Sequence, residues 1–212
     1  MKTDDLISRL SADHQPLHRP AIRSLALAVA LAILFAGAAM LLTIGLRPDF
    51  AAATATWRFD MKFVVTLTLA TSAFFLLRQA IYPEGLNRAP LWVILAAPAL
   101  LLAAVAYELA VLPASAWRAA AVGTNWFHCL TLVPAFGIVP LAIALWGIRQ
   151  GASTRPMLTG FLSGLLAGGI AATFYAANCT DDSPLFVMTW YPVGILGLGF
   201  IGALAGRQVL RW

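Results

Sequence analysis

SLALAVALAILFAGAAMLLTIGL, residues 24–46, carries no charge over 23 positions. A helix needs about 20 consecutive apolar residues to cross the hydrocarbon core of a bilayer, so this stretch is a membrane span. Its small residues Ala36, Gly37 and Ala38 look like a signal-peptidase site. However, the run is longer than the roughly 7–15 residues of a signal h-region, and it follows a tail containing Asp4, Asp5 and Asp13. An uncleaved anchor is expected.

Five more uncharged runs follow: Phe63 to Leu77, Ala89 to Tyr107, Ala119 to Ile148, Pro156 to Thr180 and Ser183 to Gly206. The second is short, and a full span is expected at 60–82 if Lys62 and Arg78 snorkel from its two ends. The fourth is too long, so 119–126 is expected to lie in the interface. The expected spans are 23–46, 60–82, 89–110, 127–148, 156–178 and 186–206. Composition agrees: of 212 residues, 61% are hydrophobic and only 11% charged, with a mean hydropathy of +0.83. Soluble domains carry about 25% charged residues. The one long polar stretch, residues 1–22, is too short for a folded catalytic domain, since chains under about 40 residues seldom fold unaided. The expected fold is an all-α integral membrane protein, a six-helix bundle preceded by a short tail.

Lys and Arg counted on alternate sides of the spans fall ten against four. Lys2, Arg9, Arg19, Arg23, Arg78, Arg88, Arg149, Arg155, Arg207 and Arg211 share a side; Arg47, Arg58, Lys62 and Arg118 share the other. The positive-inside rule then puts both termini in the cytoplasm and makes 47–59, 113–126 and 178–185 the outer loops. The net charge of +5 sits mostly beside apolar runs, where anionic membrane lipid attracts it; direct nucleic-acid binding is not expected.

Within the spans, Gly160, Gly164 and Gly168 recur every fourth residue, and Gly202 and Gly206 repeat the pattern. Such faces let backbones approach closely. Packing within the chain is the first reading, and a homodimer contact is the second. Pro98, Pro134 and Pro140 are expected to kink the third and fourth spans. Glu108 is the one acid close to a span interior, with Lys62 or Arg58 as its expected partner at the interface. Tyr82, Trp92, Trp126, Trp146, Trp190 and Tyr191 fall near boundaries and read as an aromatic belt.

The tail segment Thr3 to Asp13 reads as a short helix, with Thr3 or Asp4 as cap, acids in the first turn and Pro16 as its stop. Leu6, Ile7 and Leu10 share one face. About three turns of helix do not persist alone in water, so this face needs a partner: the membrane surface, the rest of the chain, or a cytoplasmic protein with a groove. Cys129 and Cys179 fall at outer span boundaries on the same side, beside His128, Asp181 and Asp182. Inert buried thiols are one reading. An outward-facing pair could also close a disulfide or transiently bind a soft metal ion, with His128, Asp181 or Asp182 as further ligands. The metal is preferred, because an oxidising compartment would keep a readily formed disulfide permanently closed. No resident cofactor is required.

The stretch Asn178-Cys179-Thr180-Asp181-Asp182-Ser183-Pro184-Leu185-Phe186-Val187 with Thr189-Trp190-Tyr191 resembles the signature of the NrsF family of membrane-embedded anti-sigma factors. So do Arg47-Pro48-Asp49, the cluster Trp57-Arg58-Phe59 with Lys62, Cys129 with Pro134, Arg149 to Pro156, and the Met-Lys-Thr-Asp-Asp-Leu opening. Thr180 departs from the proline more usual there. The resemblance implies a six-helix protein of the bacterial inner membrane whose cytoplasmic N-terminal segment, here Asp4, Leu6, Ile7 and Leu10, holds an extracytoplasmic-function sigma factor. It also implies that Cys129 and Cys179 sense periplasmic stress, and it supplies no catalytic residues. Two rivals remain from other classes. A small metal-ion transporter lacks the midplane charge such proteins use, and a membrane thiol oxidoreductase lacks closely spaced cysteines.

Overall fold

A computed structural model describes residues 3, 5, 7, 8, 18–149 and 151–210. Among these the chain is helical without strands, and six helices are long and apolar enough to cross a membrane. Their α-helical parts are α1 (His18–Thr43), α2 (Trp57–Ala80), α3 (Ala96–Val111), α4 (Trp126–Ile148), α5 (Pro156–Ala176) and α6 (Pro184–Val209), and the third reaches spanning length, Leu91–Val111, only with the 3-10 turn that precedes α3. Helices suit this composition because each pairs its own backbone N–H and C=O groups, which hydrocarbon cannot do. Leucines that would be buried in a soluble bundle face outward instead; Leu42, for example, is 85% exposed.

With six helices running in alternate directions, the start of α1 and the end of α6 lie on one face, here called the tail face, together with connections 81–95 and 149–155. The opposite, distal face carries connections 44–56, 112–125 and 177–183. Of the tail, Thr3, Asp5, Ile7 and Ser8 are helical, Ser8 Oγ donates to the Asp5 carbonyl at 3.0 Å, and Ile7 is exposed. Asp4, Leu6 and Leu10 lie outside the described residues.

The centre of the bundle is α5, which is the most buried of the spans and packs on α6, α2, α4 and α1. Its glycines explain how it fits there. A Cβ at Gly160 would run into the Gly202 carbonyl, one at Gly164 into the Leu198 carbonyl, and one at Gly168 into Ile195. The glycine face is thus filled by α6 of the same chain, all three glycines are buried, and the homodimer reading of Gly160, Gly164 and Gly168 is corrected. At the rim lies α3, the least buried span, against α2 and α6.

Other expectations shift for physical reasons. Pro98 does not kink a helix interior: a 3-10 turn at Leu91–Leu95 leads into α3. This puts Pro98 in the first α-helical turn, where its missing N–H matters least. Pro134 and Pro140 do lie inside α4. Helix α2 begins at Trp57 rather than residue 60, and Lys62 does not snorkel: it is fully buried. Trp92, Trp126 and Trp146 are exposed as a belt requires, but Tyr191 is buried and belongs to the core.

Candidate functional site

Connection 177–183 is the hub of the distal face. The Lys62 ammonium meets Asp182 at 2.5 Å and donates to the Cys179 carbonyl at 2.9 Å. Arg47, also buried, donates from Nη1 to both Asp182 oxygens at 2.9 Å and to the Cys179 carbonyl at 3.3 Å. Its Nε and Nη2 form a two-pronged bridge to Asp49 at 2.7 and 2.8 Å. The ring of Phe59 lies against both cations, 5.7 Å from the Arg47 guanidinium and 5.2 Å from the Lys62 ammonium. A buried charge is tolerated only when paired and hydrogen-bonded, and here two cations meet two carboxylates, a shared carbonyl and a π-face. Arg47 holds the Asp49 carboxyl below its usual range, and the two carboxylates push the guanidinium further up from its already high value.

The same connection ties down the ends of four more helices. Asn178 Nδ2 donates to the Ile44 and Gly45 carbonyls at 3.3 and 3.1 Å, and Arg47 N–H donates to the Ala177 carbonyl at 3.3 Å, which fixes the end of α1. Asp181 accepts from the N–H groups of Thr124 and Asn125 at 3.0 and 2.7 Å and from Asn125 Nδ2 at 2.9 Å. It thereby places a carboxylate at the positive N-terminus of α4. Next to it Gly123 turns with φ +60°, where a side chain would strike Phe186 and Asp181. Ser183 Oγ accepts from Leu185 N–H at 3.3 Å, capping α6, and donates to Glu108 of α3 at 3.2 Å. Glu108 is buried and pairs with Arg58 at 3.0 Å, the expected partner; the alternative, Lys62, is held by Asp182.

Beneath this layer lie the two cysteines. Both thiols are free and buried, and both belong to one apolar cluster with Tyr175, Phe186, Val187 and Tyr191. The Cys179 thiol donates to the Asp181 carbonyl at 3.8 Å. The Tyr175 and Tyr191 rings lie 6.0 Å apart. Among the described residues, Tyr191 Oη is a buried polar atom with no hydrogen-bond partner. Burial pushes the Cys179 thiol up, with Lys62 pulling partly the other way. The thiolate is the reactive and metal-binding form, so in this arrangement Cys179 is held neutral and out of contact.

The five residues expected around a metal are therefore only partly gathered. Cys129 and Cys179 share the core cluster, whereas His128 is exposed beside Phe127, with ring centroids 6.4 Å apart. Asp181 caps α4 and Asp182 pairs with Arg47 and Lys62. Among the described residues no three His, Cys, Asp or Glu side chains gather to hold a metal ion, so the donor set does not fit a resident metal. Arg47 stood in a sequence motif without an assigned role, and Lys62 was expected to snorkel or to pair with Glu108, not to bind Asp182. The signal that could have found them is charge balance: the minority-side cations Arg47, Arg58 and Lys62 are matched by Asp49, Glu108 and Asp182 on one face.

Six helical segments of membrane-spanning length and composition, closed at one face by a neutralised ion cluster over two buried thiols, give an all-helical fold compatible with a membrane protein. The chain belongs to the NrsF family, described as negative regulator of sigma F, which matches residues 10–212. It is similar to the anti-sigma-F factor NrsF of Caulobacter vibrioides, at 35% identity over 218 residues and 100% of both chains. It is also similar to the probable anti-sigma-F factor NrsF of Azospira oryzae, at 32% identity and again 100% of both. No solved structure matches the chain.

Proposed function

We propose that this protein is an anti-sigma factor of the bacterial inner membrane. It holds an extracytoplasmic-function sigma factor through its N-terminal tail and releases it when Cys129 and Cys179 respond to a signal on the other side. The observation that carries the reading is full-length similarity to two anti-sigma-F factors. The ten-to-four distribution of Lys and Arg supports a cytoplasmic tail face. It is sharpened by the ion pairs, because Arg47, Arg58 and Lys62 of the minority side are each matched by a carboxylate. Ile7, helical and exposed, supports a tail whose apolar face awaits a partner. A two-thiol site suits a species that joins or bridges two sulfurs, a thiol oxidant or a transiently bound soft metal ion.

Co-purification of the full chain from its native membrane tests this directly: a sigma factor is expected to come with it. Leu6→Asp with Leu10→Asp is expected to lose that partner while leaving membrane insertion intact, since each buried leucine contributes about 1.5–3 kcal/mol. Retention of the sigma factor by the double variant would remove the tail as its binding element. Cys129→Ser, Cys179→Ser and the double variant are expected to abolish the response equally; additive effects would instead make both thiols structural.

A further inference from the structure

The hub is not tied equally to every helix with respect to what each helix carries. Helix α1 follows the tail in the chain, and the residues that leave its distal end, Ile44, Gly45 and Arg47, are bonded to the hub. Its distal end is held by Asn178 through the Ile44 and Gly45 carbonyls, and by Arg47 through the Ala177 and Cys179 carbonyls and Asp182. Under these bonds a small apolar cluster of Met40, Phe136, Ala171 and Ala177, with Ile44 packed against it, joins the same end of α1 to α4 and to the end of α5. The contacts fall on both sides of Cys179 in the chain, and two cations share the Cys179 carbonyl itself.

We propose that the contacts of Asn178 and Arg47 form a latch that couples the Cys179 connection to α1, so that displacing Cys179 frees the distal end of α1 and, through it, the tail. The inference rests on the anti-sigma reading and assigns its internal coupling. Three observations carry it. First, Cys179 is sealed, so any reagent or ion that engages its sulfur must displace 177–183. Second, the bonds lost in that displacement are those that hold Ile44, Gly45 and Arg47. Third, α1 is one uninterrupted helix of 26 residues, about 39 Å at 1.5 Å per residue, and a rigid element of that kind carries a change at one end to the other. A signal shifts the protein only if it favours the unlatched arrangement over the latched one. The latch supplies that difference, because its hydrogen bonds exist in one arrangement and are replaced by water in the other. The Lys62 pair with Asp182 remains when Arg47 is removed, so the latch can be opened without removing the whole hub.

The test uses the purified full chain in lipid nanodiscs with the sigma factor bound, and two readouts. One is the rate at which N-ethylmaleimide labels Cys179, assigned by peptide mass; the other is the fraction of sigma factor retained. Arg47→Ala and the milder Asn178→Ala are expected to speed Cys179 labelling at least about tenfold, because labelling of a buried thiol follows local opening, and to release the sigma factor without a signal. Arg118→Gln removes an exposed positive charge of the same face outside the latch and is expected to change neither. Faster labelling with undiminished retention would overturn the coupling, and unchanged labelling would overturn the latch. A wild-type chain that holds no sigma factor at all would overturn the functional reading itself, a failure separate from either of those.

Discussion

Two seams hold this bundle together by opposite means. Between α5 and α6 the contact is backbone on backbone, made possible by Gly160, Gly164, Gly202 and Gly206. At the distal face it is charge on charge, with Arg47, Lys62, Asp49 and Asp182 matched around the Cys179 carbonyl. The first seam has no alternative arrangement of similar energy, because separating the helices would open voids with no partner atoms. The second consists of groups that water can also satisfy, and it lies where α1 ends and α2 and α6 begin. One seam makes a frame and the other a joint. A regulator that stays folded while it changes state needs both.

The largest expected effect comes from the frame. Gly160→Leu places a branched side chain against the Gly202 carbonyl, where only backbone could yield. Overpacking ordinarily costs about 1–3 kcal/mol, and more where no flexible side chain can move aside. The α5–α6 seam is expected not to close, giving aggregated or degraded protein in place of a sharp melting transition. A folded variant with a normal melting temperature would mean that the seam is looser than the contact geometry implies.

Within the joint, the order of effects separates charge from packing. Asp182→Asn leaves Arg47 and Lys62 facing each other without the carboxylate between them, and breaking a buried pair from one side costs about 3–5 kcal/mol. Lys62→Met is expected to cost less, because Asp182 keeps Arg47 and Asp49 is untouched. Thermal unfolding of the two purified variants checks the order. Equal losses would mean that the site is sensitive to shape alone. Asp181→Asn comes next: it removes the charge at the start of α4 but keeps one acceptor oxygen, and a loss of about 1 kcal/mol is expected on the same assay.

The same contrast explains what could be read in advance. The six spans were legible because lipid imposes a local rule, about 20 apolar residues in a row, and the glycine face because its four-residue spacing is a property of one helix. The joint was legible only as a place. Asp181, Asp182 and Cys179 could be singled out from the chain, but Lys62 binds a carbonyl 117 positions away and Arg47 a carboxylate 135 positions away. Without the fold, Lys62 looked like a snorkelling boundary residue and Asp182 like a spare ligand. His128 was misplaced for the opposite reason: adjacency to Cys129 in sequence puts its side chain about 100° around the helix, facing outward instead of toward the second thiol.

The smallest effect, and the finest test of the joint, lies at Asp49. Its carboxylate is the exposed end of the cluster, bonded to Arg47, which holds its carboxyl below the usual range. A group whose folded pKa lies below its unfolded value contributes stability that is present above the unfolded value, near 3.9 for aspartate, and lost as pH falls through the folded value. Melting temperature measured against pH is therefore expected to fall slightly more steeply for wild type than for Asp49→Asn as pH drops below about 4, with the two curves meeting at the acid end. Above that range a constant, small gap is expected, because solvent screens an exposed pair. Asp182, enclosed by two cations, keeps the rest of the joint in place in both proteins, so the comparison isolates the outer half of the Arg47 bridge. Parallel curves across the whole acid range would show that Arg47 needs only Asp182, and that the charge balance of the joint is set by its buried members alone.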